Sequence, residues 1–249
     1  MAGKCSDLAF NISGDFAVKD GNYIKIYRSL KEEYSFKPGF SFEYIYSGPY
    51  LAVNAYDSVY FYDFETQTFI RKIEVAVNNV IWNENKKTIA LVCDDVTYIL
   101  SFNEKAVEEF IEKAENEEEE EEFEAEDGCE EAFEPLFEIN DTVTDGFWFE
   151  KCFIYINKKN KLNYVIENQI FNITSLSGKY SLLGYYQNYN RIYFINKGLQ
   201  LISIKFPINF IKYQINILKK NFEDAEEVII ILIYNIYLNL LLKFNCKVI

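Results

Sequence analysis

The chain has 249 residues, 49% of them hydrophobic and 18% aromatic, with a formal charge of −14 and no histidine. That length holds one large or two small domains with a real core. The lack of histidine excludes Ser-His and Cys-His nucleophile pairs and a histidine general base. No Walker loop or GxGxxG run is present, so neither nucleotide fingerprint is available.

The charge is local. The window from Glu104 to Glu138 holds 18 of the 39 acidic residues and only Lys105 and Lys113 of the 25 basic ones, so it carries −16 and the remainder +2. Acidity therefore describes one segment and not a field over the whole molecule. Nucleic-acid binding needs a basic stripe with stacking platforms. The Lys158-Lys159 turn is too small for that, and the acidic segment repels phosphate.

Five cysteines, Cys5, Cys93, Cys129, Cys152 and Cys246, stand singly. An odd count without CxxC spacing argues against a disulfide framework and against zinc, and predicts reduced thiols in a cytosolic protein. Met1 to Phe10 carries no apolar signal core, so the sequons at Asn11, Asn140 and Asn172 are read as chance matches. Paired acids such as Asp94-Asp95 are read as hairpin residues and not as an acid–base pair. No catalytic, cofactor-binding or metal-binding residue is expected, and no small-molecule substrate.

The predicted elements follow the chain. Leu8 to Val18 reads as an apolar run, a turn at Ser13-Gly14 and a second apolar run, and Ile81 to Ala90 repeats the layout. Phe10, Asn11 and Val18 match Trp82, Asn83 and Ala90 at an offset of 72. Between them Ile26-Tyr27, Phe61-Tyr62 and Ile99-Leu100 recur at about half that spacing. Short strands at this period predict β-propeller blades, with an irregular β-sandwich as the alternative. Tyr62-Asp63 stands where a Trp-Asp dipeptide ends such a strand.

Asn103 to Ala114 is helix-permissive, with Val107, Phe110 and Ile111 on one face. The glutamate run Glu117 to Glu122 then lacks the apolar mass to fold. It also lacks the alternating ligands and central glycine of a calcium loop. Glu115 to Gly128 is expected to be mobile and dispensable. Strands are predicted at Thr142 to Phe149, Cys152 to Ile156, Leu162 to Ile166, Gln169 to Thr174, Ser181 to Tyr186, Arg191 to Ile195 and Leu199 to Ile204. Trp148 and Phe153 are assigned to the core. After Lys205, the spacing of Phe206, Phe210, Tyr213 and Ile217 predicts an amphipathic helix with Pro207 in its first turn. Asn221 breaks it, and Phe222 to Ala225 opens a second helix. An αα-hairpin after blades suggests the start of an α-solenoid.

The organisation read from the residues is thus mainly β. Propeller blades fill residues 1–103 and an acidic helix with a disordered insertion fills 104–139. Further blades fill 140–205, and a helical segment with an atypical apolar tail fills 206–249. Four or five blades are expected in all.

Several segments carry a family resemblance. Among them are Phe36-Lys37-Pro38, Ile45-Tyr46-Ser47-Gly48, Phe61-Tyr62-Asp63-Phe64, Ile70 to Glu74 and Ile81-Trp82. The acidic stretch continues into Glu126-Asp127-Gly128 and Glu131-Ala132-Phe133-Glu134. Then come Gly146-Phe147-Trp148, Cys152 to Tyr155, Leu162-Asn163-Tyr164, Tyr180 to Tyr185, Tyr213-Gln214 and Asp224-Ala225-Glu226. In order and spacing, from about Cys5 to Val228, they resemble the beta-prime subunit of the coatomer. The resemblance implies a fragment made of part of that family's second WD-type propeller, its WD-associated region and the start of its α-solenoid. It further implies a structural, non-enzymatic scaffold in Golgi–ER vesicle-mediated protein transport. Other coatomer subunits would be its partners, and it would be cytoplasmic and peripheral on Golgi and coat-vesicle membranes.

The family's dilysine-binding propeller lies outside the resemblance, so none of its residues carry over. The likeness stops near Val228. The apolar run from Val228 to Leu242, broken by Asn235 and Asn239, is short for a membrane span of about 20 residues. It is read first as translated non-coding sequence of a truncated gene model. A buried helix and a membrane anchor are the alternatives, the last making this a membrane-attached β-rich interaction protein.

Overall fold

The computed structural model describes residues 7–116 and 127–245, as two compact units that meet in sequence at Glu150-Lys151. Cys5, Cys246 and the run Glu117 to Glu122 lie outside the described residues, as do the side chains of 235–245.

The first unit holds three four-stranded antiparallel sheets, each laid down in chain order. The first is β1 (Asp7–Phe10), β2 (Phe16–Asp20), β3 (Tyr23–Arg28) and β4 (Lys31–Phe36). The second is β5 (Tyr44–Tyr46), β6 (Leu51–Asn54), β7 (Val59–Tyr62) and β8 (Phe69–Ile73). The third is β9 (Asn79–Trp82), β10 (Thr88–Val92), β11 (Thr97–Phe102) and β12 (Phe133–Ile139). Helix α1 (Glu104–Asn116) leaves the third sheet after β11, and β13 (Val143–Phe149) ends the unit.

This pattern is the repeat seen in the sequence. Phe10 and Trp82 end the first strands of the first and third sheets, two sheets apart. The recurring pairs at Ile26, Phe61 and Ile99 all lie in third strands.

Period-two alternation places the core. Leu51 and Val53 of β6 join Ala17, Ile24 and Ile26 of the first sheet in one cluster. Their neighbour Ala52 joins Val80, Ile89 and Leu91 of the third sheet in the other. The middle sheet is therefore apolar on both faces, and β6 is buried along its whole length.

Turn chemistry closes the hairpins. Asn11 Oδ1 accepts from the amides of Ser13 and Asp15, both at 2.9 Å, and Asn157 Oδ1 does the same for Lys159 and Lys161 at 3.0 and 2.9 Å. Asp63 Oδ1 accepts from the amides of Glu65 and Thr66 at 2.8 Å. Asparagine and aspartate thus supply the turns that a glycine-poor chain needs.

The second unit contains β14 (Cys152–Asn157), β15 (Lys161–Ile166) and β16 (Gln169–Ser175), joined as antiparallel neighbours. It continues with a three-stranded sheet of β17 (Ser181–Tyr186), β18 (Arg191–Ile195) and β19 (Leu201–Lys205). Helices α2 (Ile208–Leu218) and α3 (Phe222–Asn245) then pack as a hairpin. Phe153 is fully buried, as expected of a core aromatic.

Four expectations need correction. Phe133 to Ile139, assigned to the insertion, is strand β12 and pairs with β11. Its apolar residues are interrupted by Glu134 and Glu138, so the glutamates of a strand pattern were read as continuing the acidic run. Asp127 and Gly128, read as dispensable, pair with β8 as described below. Strand β19 begins at Leu201, because Leu199 sits at φ 60° in the preceding turn.

The fourth correction concerns the face of α2. Phe210 and Ile217 are exposed, while Ile211 and Ile215 are buried. Pro207 is the N-cap, so Phe206 precedes the helix and does not set its phase. Phe206 is buried on its own account, with its ring 5.1 Å from that of Tyr185.

The turn after α2 has two closing bonds, from Lys220 N–H to the Ile217 carbonyl and from Asn221 N–H to the Asn216 carbonyl. That is a Schellman ending with Lys220 at φ 56° in the glycine-favoured position. Asn221 then caps α3: its Oδ1 accepts from the Asp224 amide at 3.4 Å. Among the described residues no helix is long and apolar enough to cross a membrane.

Candidate interaction surface

Three features of the first unit bear on function. The first is an aromatic wedge between the second and third sheets. The Trp82 indole meets Phe61 and Phe102 edge-on, at 6.1 and 5.1 Å between ring centroids, and lies 6.1 Å from Phe133. Gly48 faces this indole so closely that a Cβ would fall 2.3 Å from Trp82 Cδ1. The Gly48 amide also donates to the Phe10 carbonyl at 3.0 Å, and Ser47 Oγ accepts from the Phe10 amide at 2.9 Å. These contacts tie the first three sheets into one body.

The second feature is the return of the acidic segment. Cys129 N–H donates to the Ile70 carbonyl at 2.6 Å, and Lys72 N–H to the Asp127 carbonyl at 3.0 Å. Gly128 bridges Arg71 between them. A short backbone ribbon therefore covers the outer edge of β8, the kind of edge that otherwise invites association. Gly128 has φ 79°, and a Cβ there would lie 2.2 Å from the Ile70 carbonyl oxygen. Only glycine fits. Val107 on α1 and Ala132 close the same core from outside. The Cys129 thiol is buried and its pKa is raised by desolvation, so it is an inert packing group. Cys93 and Cys152 are likewise buried, and burial pushes Cys93 up to about 11.

The third feature is a cleft of about 550 Å³ between the loops that lead into β5 and β9 and the hairpin ends of β6 and β10. Glu43, Asp57 and Asp94 line it, together with Tyr44 and Tyr56, whose exposures are 54% and 89%. Asp57 Oδ1 accepts from the Ser58 hydroxyl at 2.8 Å, and Asp94 Oδ1 from Asn78 Nδ2 at 2.9 Å. Asp94 of the Asp94-Asp95 pair is thus a cleft wall. Asn54, only 6% exposed, also lines the cleft, and its Nδ2 donates to the Val77 carbonyl at 3.0 Å. Burial pushes the phenol of Tyr46, which also lines the cleft, up to about 12. Asn54 Oδ1 has no hydrogen-bond partner among the described residues.

Among the described residues there is no group of His, Cys, Asp or Glu side chains able to hold a metal ion. Trp148, assigned to the core from sequence, is half-buried, with its indole N–H donating to the Ile81 carbonyl at 3.0 Å. The cleft was not legible in the sequence, because its walls come from four separate loops.

Comparison with known proteins places this architecture. The family described as COPA/B second beta-propeller matches residues 1–196. The chain belongs to this family. It is 34% identical over 218 residues to coatomer subunit beta' of Drosophila melanogaster, and 34% identical over the same length to that of Homo sapiens. Each alignment covers 87% of this chain and 23% of the relative, so the chain spans under a quarter of these relatives' length. Among solved structures, Kluyveromyces lactis Hsv2 superposes with a TM-score of 0.56 at 10% identity, covering 81% of this chain and 59% of that one. Kluyvelomyces marxianus Hsv2 superposes equally well, covering 82% and 59%. At that identity the likeness speaks for the fold alone. The mainly β, blade-built reading and the coatomer beta-prime resemblance both stand.

Proposed function

We propose that this chain serves as a structural scaffold segment of the coatomer vesicle coat, in Golgi–ER vesicle-mediated protein transport. It acts through protein–protein contacts with other coatomer subunits. It works in the cytoplasm, peripherally on Golgi and coat-vesicle membranes, and performs no catalysis.

The observation that supports this best is the family match over residues 1–196, on a chain whose sheets form the repeat that match requires. The physical picture agrees. Sheets wedged by Trp82 and edge-covered by Asp127 to Cys129 make a stiff body for holding partners. The thiols of Cys93, Cys129 and Cys152 are buried, which suits a packing role. The membrane-attached alternative gains nothing, since no described helix is long and apolar enough to span a bilayer.

The test is co-isolation. The tagged chain, expressed in cells with intact coatomer, is expected to bring down other coatomer subunits and to leave membranes on carbonate extraction. Failure to recover any coatomer subunit overturns the scaffold reading, and retention in the carbonate pellet overturns the peripheral one.

A further inference from the structure

We propose that the outer edge of β16 takes up an extended segment of a partner protein, which adds a strand there and seats one large aliphatic side chain in a cavity between β16 and α2. This site lies within the second unit, and the proposal holds or fails whether or not the chain co-isolates with coat subunits.

The edge is the first argument. β16 is the last strand of its sheet. Alternate residues of such a strand turn N–H and C=O away from their one neighbour, and those groups template another strand. The other fourth strands are guarded. β4 carries Lys31, Glu32 and Glu33, β12 carries Glu134, Pro135 and Glu138, and β8 is covered by the ribbon Asp127 to Cys129. Gln169–Ser175 has no charge, no proline and no glycine. It pairs with β15 without a slip from Gln169 to Asn172, and Ile170 within that stretch is 50% exposed.

The second argument is a cavity of about 200 Å³ beside this edge, walled by Ile166 and Phe171 of the β15–β16 hairpin and by Tyr213, Ile217 and Leu218 of α2. The helix is fastened there, since the Tyr164 hydroxyl donates to Gln214 Oε1 at 2.8 Å and the Tyr164 ring stacks on Phe171 at 5.0 Å. Ile166 opposes Gln169 and Tyr164 opposes Phe171, so these residues share one face of the hairpin. A strand laid along β16, about 4.8 Å away, turns every second side chain to that face, beside Ile217 and Leu218. Backbone pairing with a pocket for an alternate side chain is how strand addition gains its selectivity.

The third argument is that the molecule holds a filled counterpart. At β8 the ribbon bonds the edge through the Cys129 amide and the Asp127 carbonyl. Its Cys129 side chain is buried in one cluster with Ile70 of β8 and Val107 of α1, with Sγ 3.7 Å from the Ala106 carbonyl oxygen. Edge, flanking helix and apolar site recur at β16. The ribbon at β8 has no sheet of its own, which points to a short extended segment and not to the sheet of a second copy. Charge sets its flanks. Lys72 Nζ stands 3.8 Å from Asp127 Oδ1 in the ribbon. At the β16 site, α2 and the turn after it carry Lys212, Lys219 and Lys220 and no acid, against Glu167 alone in the hairpin. Acids on either side of the aliphatic residue fit that balance.

The test titrates the whole chain with the blocked peptide Gly-Glu-Thr-Leu-Thr-Glu-Gly, whose leucine and glutamates share one face when extended. Saturable nitrogen-15 shifts and slowed amide exchange are expected within Gln169–Asn172, with shifts at Leu218. Replacing the leucine by alanine should weaken binding about tenfold, as should Leu218→Ser, at a site already 41% exposed. N-methylation of the leucine, or of both threonines, blocks opposite edges of the peptide. One of these two peptides should bind and the other should not. The peptide with lysine in place of glutamate should bind more weakly.

Absence of saturable shifts in β16 overturns the proposal. Any other result with the two N-methylated peptides overturns strand addition. Unchanged affinity of the alanine peptide overturns the role of the cavity, and that peptide decides the point should Leu218→Ser not fold. Equal binding of the lysine peptide overturns the acidic flanks. Sedimentation of the chain alone should show no association that Leu218→Ser abolishes; such association overturns the choice of a partner protein in favour of a second copy.

Discussion

The sheet β5–β8 and the sheet β17–β19 are made of strands of similar length and alternation, yet they end differently. The first is apolar on both faces, is wedged by Trp82, and has its β8 edge covered by a ribbon 56 residues away at Asp127. The second has three strands, and around it Leu183, Tyr186, Leu199 and Leu201 stand exposed by 49% to 81%. Strand sequence sets what a blade is. Segments from elsewhere in the chain decide whether its faces and edges are satisfied.

The heaviest blow to the covered sheet should come from Trp82→Ala. Removing a large aromatic from between two sheets costs about 3–5 kcal/mol. Hydrogen exchange should rise across β5–β12 and stay unchanged across β14–β19. Equal loss in both regions would show that the wedge is not a local device.

The helical end of the second unit sharpens the contrast next. Ile215→Ala should cost about 2–4 kcal/mol in denaturant unfolding, whereas Ile217→Ala, on the exposed side of α2, should cost less than about 1 kcal/mol. Reversed magnitudes would restore the face inferred from spacing alone.

Edge cover is tested by Gly128→Ala. The new Cβ meets the Ile70 carbonyl in a left-handed backbone, so a loss of about 2 kcal/mol is expected. Protection of the Lys72 amide should fall with it. A variant as stable as the parent would mean that the ribbon contributes nothing.

Alkali should separate the regions more gently. Burial raises Tyr34, Tyr46 and Tyr62 of the first unit to about 12 from an ordinary value of 10.0, and Tyr164 of the second unit likewise. These phenols are neutral when folded and ionise when unfolded. Between pH 10 and 12 the unfolded chain therefore binds fewer protons, and stability falls as pH rises. The contribution is whole below pH 10. Thermal melts across that window should show protection lost first in β4–β7, where three of the four phenols lie; simultaneous loss in β15 would argue against it.

The smallest effect is expected at the open sheet. Leu201→Lys, at a site 60% exposed, should change stability by less than about 0.5 kcal/mol. It should also lower the binding of a hydrophobic dye. A large stability loss would reveal packing on that strand that its exposure does not show.

Much of this protein was written in local pattern. The offset of 72 between Phe10 and Trp82 fixed two first strands two sheets apart, because alternation and turn residues are short-range properties. The turn at Ser13-Gly14 was legible for the same reason: it is closed locally, by Asn11 Oδ1 accepting from the amides of Ser13 and Asp15 two and four residues away. What sequence did not reveal depends on partners distant along the chain. Phe133 to Ile139 looked like the tail of an acidic run until pairing with β11 made it a strand. Gly128 looked like a loop residue until Ile70 left no room for a Cβ. The buried side of α2 turned on where Phe206 ended and the helix began, one residue of phase that spacing alone leaves open. The cleft exists only because four loops converge, and no single stretch of sequence holds more than a fragment of it. Local pattern chose the strands and turns; long-range packing chose their edges and their faces.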